Sequence, residues 1–209
     1  MSGGGVALRY VALGDSYTIG TATRGSAERW PDQLAAALGS EPPTLELVAN
    51  LGVNGFTSAD VIREELPALG GLRPEFASIL VGVNDVVQGV PRETYRENVA
   101  RILDDLLGRL EPDHVIAVST PDYTVTPAGG DYGEPAAQAA GIRDVNAVLR
   151  DLAATRGIAF VDIHDLSLRA ADDRSLVADD GLHPSGAQYA LWVERIAPAV
   201  AGLLGRPAA

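Results

Sequence analysis

The chain has 209 residues, with 16 lysines and arginines against 28 aspartates and glutamates, and so carries a formal net charge of −12. A length of this order predicts one domain, over residues 1–209. The absence of cysteine excludes disulfides, thiolate metal sites and cysteine nucleophiles. An acidic balance without a basic run argues against binding to nucleic acid or to an anionic membrane surface.

Short apolar segments recur along the chain, each ending at glycine or polar residues. Continuous apolar character, without strict alternation, is typical of strands that are buried on both faces of a parallel sheet. The predicted strands are residues 8–13, 45–49, 78–83, 114–119 and 158–163.

Between these strands, apolar residues recur at the spacing of helices that bury one face. The alternation predicts a three-layer α/β sandwich with right-handed crossovers. Ligands of such folds bind beyond the carboxyl ends of the strands, so chemistry is expected there. The predicted helices are residues 31–38, 58–69, 93–110, 136–155 and 185–204.

The first strand is followed by Gly14-Asp15-Ser16. Gly14 allows a sharp turn, and Ser16 would then lie at the start of a helical turn, where free backbone N–H groups favour a developing anion. A hydroxyl side chain that caps a helix explains the same residues.

The next two strands also end in polar or glycine-rich motifs. Gly52 and Gly55 follow the second strand and predict either a hard turn or a close approach of the backbone to another group. Asn84 and Asp85 follow the third strand, where a helix cap explains them equally well. We assign Asp15 and Asp85 to turn architecture, holding local backbone N–H groups.

Asp180 and His183 lie three residues apart, just before the last predicted helix. A tight turn can bring the carboxylate to one imidazole nitrogen and leave the other nitrogen facing outward. This is the pair of base and orienting group that a serine nucleophile requires. The same residues are also compatible with a surface histidine that lies beside acidic residues and has no catalytic role.

In chain order, these four motifs resemble those of the SGNH hydrolases, also called the GDSL-type esterase/lipase family. The resemblance runs from Gly14 to the helix after His183 and includes Trp30-Pro31. It implies a flavodoxin-like α/β/α fold with a five-stranded parallel sheet of order 2-1-3-4-5. It also implies hydrolysis of carboxylic esters through an acyl-enzyme. Tyr17 departs from the family motif, which has leucine after the serine.

By this resemblance, Ser16 is the nucleophile and His183 is its base, oriented by Asp180. The oxyanion hole would be formed by the backbone N–H groups of Ser16 and Gly55 and by the side chain of Asn84. Gly52 is the weaker candidate for the second backbone donor.

Two tyrosines are candidate substrate-binding residues. Tyr17 is expected to pack beside the site, and Tyr123 lies in the one long irregular segment, residues 121–135, which also carries Tyr132. This segment is either a loop over the site or a solvated connector. Few aromatic residues and no amphipathic anchor favour a small ester over a long-chain lipid.

Other assignments remain open at this point. His164 follows the fifth strand and is an alternative base, whereas His114 begins the fourth strand and is expected at the surface. A metal-dependent phosphoesterase and a flavodoxin-like FMN-binding module are the alternative functions. An α/β-hydrolase would place a G-x-S-x-G motif in mid-chain, which does not match Ser16.

We expect no metal and no cofactor, and a small-molecule ester as the partner, with no nucleic acid and no stable membrane association. The chain start lacks the regions of a secretory signal, and no apolar run approaches the roughly 18–20 residues of a membrane span. A cytoplasmic location is therefore expected. The motifs specify neither acyl chain length nor oligomeric state.

Overall fold

The computed structural model describes residues 7–205 of the chain. At its centre is a sheet of five parallel strands in the order β2-β1-β3-β4-β5, which confirms the expected order. The third strand was predicted to end at residue 83 but ends at Leu80, because its apolar run continues past the sheet into the next helix. The strands are β1 (Ala7–Gly14), β2 (Thr44–Asn50), β3 (Phe76–Leu80), β4 (Val115–Val118) and β5 (Ala159–Val161).

Helices follow each strand. The first, α1, is the helical turn that was expected to start at Ser16. Two others, α5 and α8, have five residues each, too few for a periodic apolar pattern, and were not predicted. A π-helical turn joins α3 to α4. The helices are α1 (Ser16–Ile19), α2 (Trp30–Ala37), α3 (Ser58–Asp60), α4 (Leu66–Leu72), α5 (Val83–Val87), α6 (Arg92–Leu107), α7 (Pro135–Ala154), α8 (His164–Leu168) and α9 (Gly186–Leu203).

The helix predicted to stop at Gly70 continues through two glycines to Leu72. It ends because Arg73 adopts a left-handed conformation, with φ of 49°, and donates its N–H to the carbonyl of Leu69. The glycines are therefore tolerated inside the helix, and the backbone after them provides the stop.

The sheet is covered on both faces, which confirms the three-layer sandwich. Because successive strand side chains point to opposite faces, β1 buries Tyr10 and Ala12 in one apolar cluster and Val11 and Leu13 in the other. Helices α2 and α9 pack in the first cluster, while α4 and α6 pack in the second.

The position of β1 in the sheet determines which loops meet. Its neighbours are β2, which pairs Asn50 with Ala12, and β3, which pairs Leu80 with Gly14. A Cβ atom at Gly14 would lie 2.1 Å from the Leu80 carbonyl oxygen, so only glycine fits at this crossing. The loops that follow β2 and β3 consequently flank α1. Among residues 7–205, no helix combines the length and the apolar character that crossing a membrane requires.

Candidate active site

A cavity of about 260 Å³ lies at the carboxyl ends of the central strands. Six of the seven candidate site residues line this cavity, and the seventh, Asp180, lies behind His183. The lining residues are Ser16, Tyr17, Asn54, Gly55, Val83, Asn84, Val87, Tyr123, Tyr132, Leu182 and His183.

Ser16 is the first residue of α1 and is 8% exposed. Asp15 caps this short helix, since its Oδ1 accepts the backbone N–H of Tyr17 at 3.0 Å. Burial raises the pKa of Asp15 to about 8. The N–H of Ser16 is left without an acceptor among residues 7–205, because first-turn donors have no partner in their own helix.

The loop after β2 contains two glycines with different tasks. A Cβ atom at Gly52 would come within 2.7 Å of the Asp15 carbonyl and of the Ile19 nitrogen, so Gly52 lets the loop pack on α1. Its own N–H donates to Asn50 Oδ1 at 3.2 Å. Gly55 has a φ of 80°, lines the cavity, and has no acceptor for its N–H in the described part of the chain. Gly55, and not Gly52, is therefore the available donor.

Asn84 lies in α5 and reaches back to the loop after β2. Its Nδ2 donates one hydrogen to the Phe56 carbonyl at 2.9 Å, which leaves the second amide hydrogen free. Asp85 accepts hydrogen bonds from the N–H and the hydroxyl of Ser58, at 2.9 and 2.5 Å. Asp85 therefore ties the start of α3 to α5, a longer-range contact than the local N–H groups that we expected it to hold. Burial raises the pKa of Asp85.

The Asp180–His183 pair forms within one tight turn. Asp180 Oδ2 lies 2.6 Å from His183 Nδ1, and Oδ1 accepts the N–H groups of Leu182 and His183 at 2.9 and 3.0 Å. Burial alone would raise the pKa of Asp180, but the hydrogen bonds from the His183 ring and from the two N–H groups outweigh it and hold the pKa below its usual value. The carboxylate is therefore ionised and can only accept.

Aromatic side chains surround the imidazole. The Tyr17 ring is centred 5.7 Å from the His183 ring at an interplanar angle of 57°, so Tyr17 packs beside the site as expected. Tyr123 donates its hydroxyl to Gln138 at 2.9 Å and meets Tyr132 edge-on at 5.8 Å.

The segment that carries these two tyrosines borders the cavity and is tied to the histidine turn. The Ala128 N–H donates to the Gly181 carbonyl at 3.0 Å. Residues Gly129–Tyr132 form a 3₁₀ turn that presents Tyr132 at the rim, where it is 43% exposed. The structure therefore favours the interpretation of residues 121–135 as a loop at the site over that of a solvated connector.

The chain was compared with known families and structures. A family model described as the GDSL-like lipase/acylhydrolase family matches residues 12–191. This chain belongs to that family. It is accordingly an ester hydrolase of the SGNH/GDSL type. A search of curated proteins found no match.

Solved structures share the fold over almost the whole chain. LAE5, an α/β hydrolase enzyme from the metagenome of Lake Arreo, Spain, is 21% identical, with a TM-score of 0.71 and 96% of each chain covered. A catalytic mutant of Axe2, an acetylxylan esterase from Geobacillus stearothermophilus, is 19% identical, with a TM-score of 0.72 and coverage of 97% of this chain and 96% of that one. A G-D-S-L family protein from Veillonella parvula is 18% identical, with a TM-score of 0.72 and coverage of 90% and 96%.

The other histidines of this GDSL-family chain lie elsewhere. His164 does not line the Ser16 cavity, and its Nε2 lies 3.6 Å from Asp122 Oδ2. His114 precedes β4, at the end of the sheet opposite the cavity, and is half-buried. Within residues 7–205, no three His, Asp or Glu side chains are grouped so that they could hold a metal ion.

Sequence reasoning missed several residues of the site. Asn54, Val83 and Leu182 each precede a motif residue directly, so their proximity to Gly55, Asn84 and His183 was the available signal. These three side chains, together with Val87, form much of the wall.

Glu65 was also missed. It lies in the π-helical turn and accepts the N–H of Gly14 at 2.9 Å, directly behind the serine motif. Burial raises the pKa of Glu65 to about 9. A buried acid at the end of β1 therefore supports the turn that presents Ser16.

Proposed function

We propose that this enzyme hydrolyses small carboxylic esters by acyl transfer to Ser16, with His183 as general base and acid and Asp180 as the orienting group. One observation carries the proposal. One cavity is lined by a hydroxyl, two kinds of amide donor and an imidazole, which come from four separate segments of the chain. Among residues 7–205, the only polar partner of the imidazole is an ionised carboxylate.

Activation of the serine follows from the Asp180 hydrogen bond. Because the carboxylate can only accept, His183 Nδ1 carries a proton and Nε2 is left with a lone pair. That nitrogen takes the Ser16 proton as the hydroxyl oxygen attacks the ester carbonyl carbon. The imidazolium that forms is stabilised by the Asp180 charge.

The attack places negative charge on the former carbonyl oxygen. The free N–H groups of Ser16 and Gly55 and the second amide hydrogen of Asn84 are donors for this charge. Since they are already held by α1, by the turn at Gly55 and by the Phe56 carbonyl, they need little rearrangement at the moment of reaction.

Collapse of the intermediate expels the alcohol, which takes its proton from His183. Water then attacks the acyl-enzyme, with His183 again removing a proton, and the acid leaves. The leaving alcohol must lie toward His183, on the side of Leu182 and Tyr132. We place the acyl group on the other side of the cavity, where Asn54 lies.

The size of the cavity limits the substrate. At about 260 Å³ it falls below the roughly 300–1,000 Å³ of pockets for drug-sized ligands, so a short acyl group with a small or aryl alcohol fits. Tyr17 and Tyr123 form its inner wall, and the apolar side chains Val83 and Val87 complete it.

Turnover of 4-nitrophenyl acetate tests the proposal. Ser16→Ala removes the nucleophile and is expected to abolish turnover, whereas Ser26→Ala, at an exposed serine outside the cavity, leaves the rate unchanged. Addition of EDTA leaves wild-type turnover unchanged if the chemistry is serine-dependent. Full activity of Ser16→Ala, or loss of wild-type activity with EDTA, contradicts the proposal.

A further inference from the structure

A second cavity, of about 440 Å³, adjoins the catalytic cavity and shares Asn54 with it. None of the proposed catalytic or oxyanion residues lines it. Its lining residues are Ile19, Gly20, Thr21, Arg29, Gly52, Val53 and Asn54.

Arg29 is the only charged residue among them, and its position is restricted. Its side chain lies along Gly20, where a Cβ atom would come 2.6 Å from the Arg29 Cγ. The next residue, Trp30, is fully buried and anchors the backbone at the start of α2. The aliphatic part of Arg29 is therefore packed, and the guanidinium is held at the cavity wall.

The guanidinium is unpartnered in the described part of the chain. Its Nε is buried without a hydrogen-bond acceptor, and no acid lies within 4.0 Å to form an ion pair. Burial raises the pKa of Asp32, and the positive charge of Arg29, acting at longer range, opposes that rise. By contrast, the neighbouring Arg24 pairs with Glu28 at 3.5 Å. Because a buried unpaired donor is costly, the Arg29 site suits an external acceptor.

Asn54 offers a second donor between the two cavities. The Thr21 hydroxyl donates to the Asn54 side-chain carbonyl, which orients the amide. Asn54 is exposed, and its amide nitrogen donates to no acceptor among residues 7–205, so it is open to solvent or to a ligand.

The second cavity begins one helical turn from the proposed nucleophile. The N–H groups of Gly20 and Thr21 both donate to the Ser16 carbonyl at 3.0 Å, and a turn of helix rises about 5.4 Å. Because the two cavities share Asn54, an acyl chain of a few carbons that is bound at Ser16 and extends past Asn54 would enter the second cavity.

We propose that Arg29 binds a carboxylate at the far end of the substrate's acyl group, so that the enzyme prefers half-esters of short dicarboxylic acids. The inference rests on the proposed function. Arg29 supplies a charge-assisted hydrogen bond to the carboxylate, and Asn54 donates to the same group or to the chain before it. Because the chain carries a net charge of −12, an anionic substrate is repelled by the protein as a whole, and a cation at the site offsets that repulsion.

The test compares two esters of matched shape. Mono(4-nitrophenyl) glutarate carries the distal carboxylate, and 4-nitrophenyl 5-methylhexanoate replaces it with a neutral isopropyl group. The measured quantity is the ratio of their kcat/KM values. Arg29→Gln is expected to lower this ratio about 10- to 100-fold, the range for loss of a hydrogen bond between charged groups. Arg29→Lys keeps the charge and should lower it less.

Arg24→Gln is the matched control, because Arg24 is exposed on the same loop and outside both cavities; its ratio should equal that of the wild type. Independently of any variant, the wild-type ratio should fall with added salt, since the Debye length shrinks from about 30 Å at 0.01 M to about 3 Å at 1 M. A salt-insensitive ratio, or an equal ratio for wild type and a folded Arg29→Gln, overturns the subsite. Failure of the wild type on both esters and on 4-nitrophenyl acetate overturns the proposed function itself.

Discussion

Asp180 contacts His183 twice: one carboxylate oxygen lies 2.6 Å from the ring Nδ1, and the other accepts the backbone N–H of the same histidine at 3.0 Å. The carboxylate thus fixes both the position of the residue and the orientation of its ring. This double contact requires a separation of three residues within a tight turn, which Gly181 permits with a φ of 74°.

Asp180→Asn tests the orienting role. The amide can keep the bonds from Leu182 and His183 through its oxygen, but its NH₂ group would face Nδ1 and force the ring into the tautomer whose Nε2 carries the proton. We expect kcat for 4-nitrophenyl acetate to fall by roughly 10⁴-fold, as in related triads, with little change in Tm. Asp179→Asn, at the exposed neighbour, is the control and should retain the rate. A wild-type kcat for Asp180→Asn would remove Asp180 from the mechanism.

Asn84→Ala tests the side-chain oxyanion donor. Loss of this donor should lower kcat by about 10²- to 10³-fold while KM changes little, because the hydrogen bond from Asn84 strengthens as negative charge develops on the substrate carbonyl oxygen. Steady-state kinetics on 4-nitrophenyl acetate measure both constants. Gln88→Ala removes the 3.3 Å bond to the Gly55 carbonyl but no oxyanion donor, so it separates loop anchoring from donor loss. Equal losses in the two variants would assign Asn84 to loop anchoring.

Tyr132→Ala tests the aromatic rim on the leaving-group side. Removing the ring takes away contact with an aryl alcohol in ground state and transition state alike, so KM for 4-nitrophenyl acetate should rise on the order of 3- to 10-fold with kcat nearly unchanged. The control is Leu168→Ala, another exposed apolar side chain that does not line the cavity. An unchanged KM would show that the aryl group lies elsewhere.

The buried carboxyl of Glu65 predicts a dependence of stability on pH. Its pKa is raised to about 9 by burial, so the folded chain retains a proton that the unfolded chain loses above about pH 4. The free energy of unfolding should therefore fall as the pH rises from about 4 to about 9, because the unfolded state binds fewer protons there.

Glu65→Gln keeps an acceptor for the Gly14 N–H but has no titrating group, so its Tm should decline less between pH 5 and pH 9 than that of the wild type. Glu64→Gln, at the exposed neighbour that pairs with Arg63, controls for a change of charge. Parallel Tm profiles for wild type and Glu65→Gln would show that Glu65 does not titrate in this range.

Much of the fold was predictable, because buried parallel strands leave continuous apolar runs and helices leave a period of three to four residues. The strand order was implied by the family resemblance; with that order, the rule that ligands bind at the carboxyl ends of strands places Ser16, Gly55 and Asn84 close together. The Asp180–His183 pair was predictable because both residues lie in one turn.

The features of the fold and the site that could not be predicted depend on contacts between segments that are distant in sequence. Nothing local indicates that Asp85 would reach Ser58, or that Glu65 would turn inward to Gly14, since the π-helical turn alters the register of an otherwise amphipathic helix. Only the structure shows that Arg29 lines a cavity and that no acid among residues 7–205 pairs with it. Short helices such as α5 and α8 carry too few residues for a periodic apolar pattern.

The most direct test of the central claim is to locate the covalent adduct formed with a fluorophosphonate, which reacts with activated serines. Digestion and tandem mass spectrometry of the labelled enzyme should place one adduct on Ser16. Labelling should disappear in Ser16→Ala and slow markedly in His183→Ala. An adduct on another serine, or undiminished labelling of Ser16→Ala, would contradict the account.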